Sequence, residues 1–249
     1  MRDRPEALIL CGGAGSRLKS ITGDRPKAMS SIAGRPFLEL LLRQLGRHKF
    51  QRVILAVGYQ QEAIRSYFGA QPCGLIVDYS PESIPLGTGG AIRNAAHLVR
   101  SDCVVILNGD SYTDADLSQL VEEHRRSKAD VSLVVVPVDG RADCGSVRID
   151  EDGRVAEFEE KQVHAGARYA SAGMYVMSRQ IVFDIPSGRQ VSLEYEVFPQ
   201  WLGQGRALRA FSVPGTCLDI GTPERYWSAQ EVLRSVESGE SVAAGKGLE

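Results

Sequence analysis

The stretch Ala7-Leu8-Ile9-Leu10-Cys11-Gly12-Gly13-Ala14-Gly15-Ser16-Arg17-Leu18 decides how this chain folds. A short, unbroken apolar run suits a strand buried on both faces, the usual state of a strand in a parallel sheet. The run ends in glycines, which let a backbone come close to a ligand and turn successive N–H groups inward, as loops that cradle phosphates do. Such a turn alone equally suits a tight connection from strand to helix. Its spacing matches neither the GxxxxGK[ST] phosphate loop nor the GxGxxG dinucleotide fingerprint. Two cations change the balance: Arg17 can clamp phosphate oxygens as a fork, and Lys27, in Arg25-Pro26-Lys27, adds a mobile point charge. The group suits a triphosphate, with Leu10, Gly12, Gly13, Gly15, Ser16, Arg17 and Lys27 as candidate contacts.

Further along, short apolar runs alternate with helix-period segments, the pattern of a mostly parallel sheet with crossover helices. Ala7 to Cys11, Val53 to Val57, Leu75 to Tyr79, Val104 to Leu107 and Val131 to Val136 are expected strands. Phe37, Leu38, Leu41, Leu42 and Leu45 recur at helix spacing, as do Ala63, Ile64, Tyr67 and Phe68. Thr88 is expected to cap a helix reaching Leu98, and Asp116 another through Val121. After Gly140 the pattern changes to a hairpin, Ser146 to Ile149 and Val155 to Phe158 around Glu151-Asp152-Gly153. Ser171 to Met177 adds a strand, Leu193 to Leu202 a helix, and Ala207 to Val213 and Cys217 to Ile220 two strands. A last helix starts near Pro223 and runs to about Val236. The expectation is one domain over residues 1–238, with a first half to about 140, a second half beyond it that borders or inserts into the first sheet, and a tail at 239–249. The Leu248-Glu249 end has the look of an expression remnant.

Bulk properties narrow the function. Hydrophobic residues make up 43% of the 249 and charged residues 24%, which points to a globular enzyme and away from a disordered or membrane-embedded chain. A net charge of -2 leaves no basic field for a nucleic-acid backbone, so any phosphate site must be local. Cys11, Cys73, Cys103, Cys144 and Cys217 are scattered without a CxxC pair and read as buried thiols of a reducing compartment. The charged N-terminus running into Leu8-Ile9-Leu10 is too short for a signal or spanning segment, so the expected location is the cytoplasm. A homo-oligomer is compatible with all of this.

Ligands of open α/β sheets bind outside the carboxyl ends of the strands, so residues just past the apolar runs carry the chemistry. Asp110 in Leu107-Asn108-Gly109-Asp110 stands there, and so does Asp219 in Leu218-Asp219-Ile220-Gly221. A lone Asp at such a place is more often a cap or turn former. A hard cation, however, takes oxygen ligands and often only one or two carboxylates plus substrate phosphates. Glu157-Phe158-Glu159-Glu160-Lys161 reads blandly as a solvated strand face, and Pro85-Leu86-Gly87-Thr88-Gly89-Gly90-Ala91 as a helix entry whose amides can face a polar ligand. His48, His97, His124 and His164 share no spacing and read as surface or helix residues.

Gly12-Gly13-Ala14-Gly15-Ser16-Arg17-Leu18 with Pro26-Lys27-Ala28-Met29 resembles the GGxGxRL...PKxM signature of the sugar-1-phosphate nucleotidyltransferase, or pyrophosphorylase, family. The resemblance extends in order from about Ala7 to Leu233. It implies a Rossmann-like three-layer α/β/α fold with a mostly parallel mixed sheet, similar to glycosyltransferase-A enzymes. It implies that Asp110 and Asp219 hold Mg²⁺, that Gly87 and Thr88 line the base and sugar pocket, and that Glu160 and Lys161 bind sugar hydroxyls and sugar phosphate. Asn108, Gly145, Ser171 and Gly173 match sugar-side positions. The implied reaction joins a nucleoside triphosphate to a sugar 1-phosphate and releases pyrophosphate, with Arg17, Lys27, Asp110, Lys161 and Asp219 as its catalytic set.

The blocks Asp24 to Phe37, Tyr79 to Ala91 and Leu193-Glu194 resemble the D-glycero-D-manno-heptose 1-phosphate guanylyltransferases, which implies GTP as the nucleotide. Cys144-Gly145, where the family commonly has Tyr-Gly, and Ser171-Ala172-Gly173, where it commonly has Asn-x-Gly, depart on the sugar side. Within the family the alternatives are a mannose-1-phosphate guanylyltransferase, or a uridylyl-, cytidylyl- or thymidylyltransferase acting on another hexose or amino sugar 1-phosphate. Outside it stand a regulatory module that has lost its chemistry and a glycosyltransferase. The first should have lost the charged set, and the second does not need Arg17 and Lys27.

Overall fold

The computed structural model describes residues 4–138, 145–159, 169–214 and 217–237, with side chains through 233. The first half runs β1 (Glu6–Leu10), α1 (Lys19–Thr22), β2 (Ser31–Ile32), β3 (Arg35–Pro36), α2 (Phe37–Arg47), β4 (Arg52–Val57), α3 (Gln61–Phe68), β5 (Ile76–Pro81), α4 (Gly87–Ala95), β6 (Cys103–Asn108), β7 (Ser111–Tyr112), α5 (Leu117–Ser127) and β8 (Val131–Pro137). The second runs β9 (Ser146–Ile149), β10 (Val155–Glu159), β11 (Tyr169–Ser178), α6 (Arg179–Val182), α7 (Phe198–Gly203), β12 (Leu208–Ser212), β13 (Leu218–Asp219) and α8 (Pro223–Glu237).

The main sheet has the order β10-β9-β11-β6-β1-β4-β5, and β8 pairs with both β11 and β12. β5, β4, β1 and β6 are parallel, with Leu10 level with Ala56 on one side and Asn108 on the other. The chain builds from β1 through β4 to β5 and then returns to the far side of β1 for β6. That reversal is a topological switch point, and it leaves a crevice at the carboxyl ends of β1 and β6. The second half joins the same sheet: β11 lies antiparallel to β6 over Met174 to Ser178 and also pairs with β8 and β9. Its register with β8 shifts between Ser171 and Tyr175, a bulge where Gly173 takes a φ of 68°.

Alternate residues of the sheet face two apolar cores. Ala7, Ile9, Val53, Leu55, Val105 and Leu107 pack with α2, α3, α5 and α8, while Leu8, Ile54, Ala56, Val104 and Ile106 pack with α4, α6 and α7. This is the expected three-layer arrangement. α2 illustrates what holds it: eleven residues make a marginal helix in water, yet Phe37, Leu38, Leu41, Leu42 and Leu45 are fully buried. Each contributes about 1.5–3 kcal/mol by leaving water. Glu39 in its first turn and Arg47 in its last complement the helix dipole.

Three local expectations are corrected. Thr88 does not cap α4, which has no side-chain cap; its hydroxyl is engaged by the segment from Val191 to Glu194. Leu193–Val197 forms a single π-helical turn before α7, so the expected single helix is two pieces. Cys73 is exposed, at a φ of 54°, while Cys11, Cys103 and Cys217 are buried and Cys144 lies outside the described residues. Asp116 does cap α5, accepting from the N–H groups of Ser118 and Gln119 at 2.9 and 3.0 Å.

Candidate active site

The crevice at the switch point is a cleft of about 310 Å³, lined among others by Leu10, Gly12, Gly13, Lys27, Glu82, Gly87, Thr88, Asn108, Asp110 and Gln190. Its floor is set by the glycines. Cys11 N–H donates to the Ala56 carbonyl at 2.9 Å and Tyr59 N–H to that of Gly12 at 3.1 Å, which pins the loop's start to β4. Gly15 has a φ of 64°, and a Cβ there would stand 2.8 Å from that of Lys27, so only glycine lets the loop close over Lys27. Arg17 follows on an exposed 3-10 turn and makes no hydrogen bond or ion pair among the described residues.

Lys27 is the centre of the charged group. Its ammonium pairs with Asp110 Oδ2, and it lies 3.4 Å from where a Cβ on Gly221 would stand, between the turns that carry Asp110 and Asp219. Those turns are adjacent because β7 and β13 pair antiparallel, Ser111 opposite Asp219, with the Ile220 N–H donating to the Asp110 carbonyl at 3.0 Å. Asp219 Oδ1 accepts from the Gly221 N–H and from Arg225 Nη1 at 3.2 Å. The Asp110 and Asp219 side chains keep 31% and 26% of their surface exposed; Asp110 lines the cleft, and Asp219 stands on the adjoining turn. Two open carboxylates beside a phosphate loop fit a hard divalent cation whose other ligands come from substrate and water. Among the described residues no cluster of three or more acidic, His or Cys side chains makes a self-sufficient metal site.

On the sugar side, Gly173 presses on Asn108: a Cβ there would meet Asn108 Nδ2 at 2.7 Å. Asn108 Oδ1 is buried with no partner among the described residues. The Ser171 N–H donates to the Gly145 carbonyl at 2.8 Å, so with Gly173 against Asn108 these four residues are neighbours. Glu160 and Lys161 lie outside the described residues, directly after β10. Among the described residues no histidine lines the cleft. His124 is buried against Ser132, His48 lies 3.4 Å from Asp116 Oδ1, His97 sits on the Asn94 carbonyl, and His164 lies outside the described residues.

Sequence reasoning missed Glu82. It follows β5 directly, and β5 runs two residues past the expected end at Tyr79, so the rule that finds ligand residues past strand ends applied to it. Its Oε1 lies 3.2 Å from where a Cβ on Gly12 would stand, and its Oε2 accepts the Leu86 N–H at 3.1 Å. Burial raises its pKa, and the Leu86 N–H offsets part of that.

A glycine loop, an ion-paired lysine and two carboxylates at the switch point of a doubly wound sheet fit an enzyme class that handles nucleotide phosphates. The family model described as "Nucleotidyl transferase" matches residues 6–236, and the chain belongs to that family. Mannose-1-phosphate guanylyltransferase of Mycobacterium tuberculosis is 39% identical over 89% of this chain, which spans 62% of that relative's length. D-glycero-alpha-D-manno-heptose 1-phosphate guanylyltransferase of Aneurinibacillus thermoaerophilus is 35% identical over 92% of this chain and 98% of its own. HddC from Yersinia pseudotuberculosis, solved in complex with GMP-PN, superposes with a TM-score of 0.80 at 35% identity, covering 92% of this chain and 99% of that one. Among the described residues no helix is long and apolar enough to cross a membrane.

Proposed function

We propose that the chain joins GTP to D-glycero-α-D-manno-heptose 1-phosphate, releasing pyrophosphate, with Mg²⁺ as the cation. The observation that carries the base is Glu82, a carboxylate held in the nucleotide cleft against the phosphate loop. Guanine turns two donors, its ring N–H and its amino group, toward such an acceptor. Adenine and cytosine place a ring acceptor at that edge, and uracil offers one donor between two carbonyls, so each leaves a buried polar group unpaired. The sugar rests on similarity to the heptose enzymes, which this chain matches over nearly their whole length. A mannose-1-phosphate guanylyltransferase is the second reading, favoured by the mycobacterial relative. Mannose lacks only the heptose's extra hydroxymethyl carbon, so it should serve as a slower surrogate.

The sugar phosphate attacks the α-phosphorus in line as pyrophosphate leaves. Its oxygen is already ionised at neutral pH and needs no general base. The protein therefore acts by positioning and charge neutralisation. Arg17 and Lys27 take the charge that grows on pyrophosphate, and Lys161 holds the sugar phosphate. Asp110 and Asp219 would hold Mg²⁺, which neutralises phosphate charge when bound. A binding module without chemistry would not keep Arg17, Lys27, Asp110 and Asp219 together. Free thiols and a nucleoside triphosphate substrate suit a cytoplasmic enzyme.

The test is competition among equal GTP, UTP, CTP and ATP against a panel of sugar 1-phosphates, reading pyrophosphate and product mass. GDP-heptose as the main product supports the reading. A UDP- or CDP-sugar as the main product would overturn the base assignment.

A further inference from the structure

Two chains of hydrogen bonds converge on one carboxylate beside the cleft. On the nucleotide side the Leu193 N–H donates to Thr88 Oγ1 at 2.8 Å, and the Thr88 hydroxyl donates to Glu194 Oε2 at 2.6 Å. Ser192 Oγ donates to the same oxygen at 3.2 Å. On the sugar side the Tyr175 hydroxyl reaches Glu194 Oε1 at 3.5 Å, and Ser171 Oγ lies 3.3 Å from that hydroxyl. Ser171 Oγ in turn accepts the Gly173 N–H at 3.3 Å. A carboxylate only accepts. The Tyr175 proton therefore points to Glu194, Ser171 must donate to Tyr175, and every hydrogen on both arms points toward Glu194.

One arm begins at a residue that lines the cleft, and the other at a bulge packed against a second such residue. Thr88 lines the cleft at the start of α4, and that end is strapped to the Val191 carbonyl by the Gly89 and Gly90 N–H groups at 3.0 and 3.3 Å. Ser171 and Gly173 form the bulge of β11 that presses on Asn108, a cleft residue whose buried Oδ1 has no partner among the described residues. Tyr175 is fully buried, its ring 5.2 Å from that of Phe198, so the relay crosses packed core.

We infer that Glu194 is a positioning residue that couples the two substrates: a nucleotide that fixes Gly87 and Thr88 also fixes the Ser171–Gly173 bulge and Asn108, and a sugar phosphate does the reverse. The inference rests on the proposed reaction. Binding linkage makes the coupling reciprocal, so each ligand tightens the other by the same factor. Glutamine changes the relay, because its amide keeps one acceptor and turns a donor toward the other arm, which reverses the Tyr175–Ser171 hydroxyl pair or leaves Thr88 without its acceptor.

The experiment measures, by calorimetry, the Kd of a GTP analogue with a methylene bridge between the α- and β-phosphates, with and without saturating α-D-mannose 1-phosphate. In the unaltered protein the sugar phosphate should tighten the analogue by at least about fivefold. Glu194→Gln and Tyr175→Phe should cut that ratio below about twofold, and Thr88→Ser, which keeps the hydroxyl, should preserve it. Tyr175→Phe leaves the buried ring in place, so its thermal midpoint should stay close to that of the parent and separate coupling from folding. Undiminished coupling in folded Tyr175→Phe and Glu194→Gln overturns the inference, as does an active parent with no coupling. A parent that releases no pyrophosphate from GTP and any sugar 1-phosphate would instead defeat the proposed reaction, and this inference with it.

Discussion

Lys27 and Asp110 are held against each other in the cleft proposed to admit a triphosphate and its cation. The pair keeps two charges satisfied until substrate phosphate competes for the ammonium and a cation for the carboxylate. Asp110→Ala or Asp219→Ala should therefore lower kcat on the order of 10³-fold with the fold intact, checked by steady-state kinetics beside circular dichroism. Full activity in either variant, or in chelator, would remove the metal assignment. Lys27→Ala should mainly raise the KM for GTP and Lys161→Ala that for the sugar 1-phosphate. Each loses a charge-assisted contact of about 1.5–3 kcal/mol, or roughly ten- to a hundredfold. Equal effects of both variants on one substrate would contradict a site with two opposed cations.

Glu82 gives the residue scale its pH dependence. In the proposed base contact only its ionised form can accept both guanine donors, and burial raises its pKa above the ordinary carboxylate value. The KM for GTP should rise as pH falls through that raised value, sooner than an exposed glutamate would dictate. Glu82→Gln should flatten this rise and narrow the preference for GTP over UTP. An unchanged preference in Glu82→Gln would mean that the base is read elsewhere.

Elements differ in how plainly their residues announce them. The cap of α5 was legible because Asp116 needs only its own next turn to satisfy the Ser118 and Gln119 N–H groups. Asp116→Ala should cost about 1 kcal/mol, a drop of a few degrees in the thermal midpoint with kcat unchanged. Thr88 stands at an equally plausible helix entry, yet its hydroxyl is claimed by Glu194 and Leu193, far away in sequence. The start of α4 is instead fixed by Gly87, at a φ of 70°, where a Cβ would strike the Val191 carbonyl at 2.5 Å. Gly87→Ala should raise the KM for GTP through displacement of this loop, and wild-type kinetics in that variant would argue against so close an approach.

For the whole molecule, acid stability follows from two buried groups. Burial lowers the pKa of His124 to about 4 from 6.5, and its ring rests on Ser132 Oγ at 2.9 Å. The unfolded chain takes up that proton between those values and the folded one does not, so stability is full above about pH 6.5 and falls as pH drops toward 4. At about 1.4 kcal/mol per unit the loss is on the order of 3 kcal/mol at most. Glu6 adds a second step. Its burial alone would raise its pKa, but the Ser101 and Arg100 N–H groups and Arg52 outweigh that and lower it, so its contribution is lost as pH falls below about 4.5. Thermal midpoints should decline in this order, and His124→Asn should flatten the upper limb. A parent as stable at pH 4.5 as at pH 7 would refute the assignment.

The linear chain by itself determined β1, β4, β5, β6 and β8 of the first half but not the two-residue strands β2, β3 and β7, and it determined the glycine loop with Arg17 and Lys27 and the family to which these belong. All are written within a few residues, in the period of apolar side chains or in a run whose members must be neighbours to work. Strand order made the rest. β7 beside β13 brings Asp110 to Asp219, β5 ending at Pro81 brings Glu82 against Gly12, and the bulge in β11 sets Gly173 on Asn108. Periodicity says which face of an element is buried but not which element lies across from it. Contacts between distant segments, Glu194 with Thr88 and Tyr175 among them, arise only when the packed layers fix that choice.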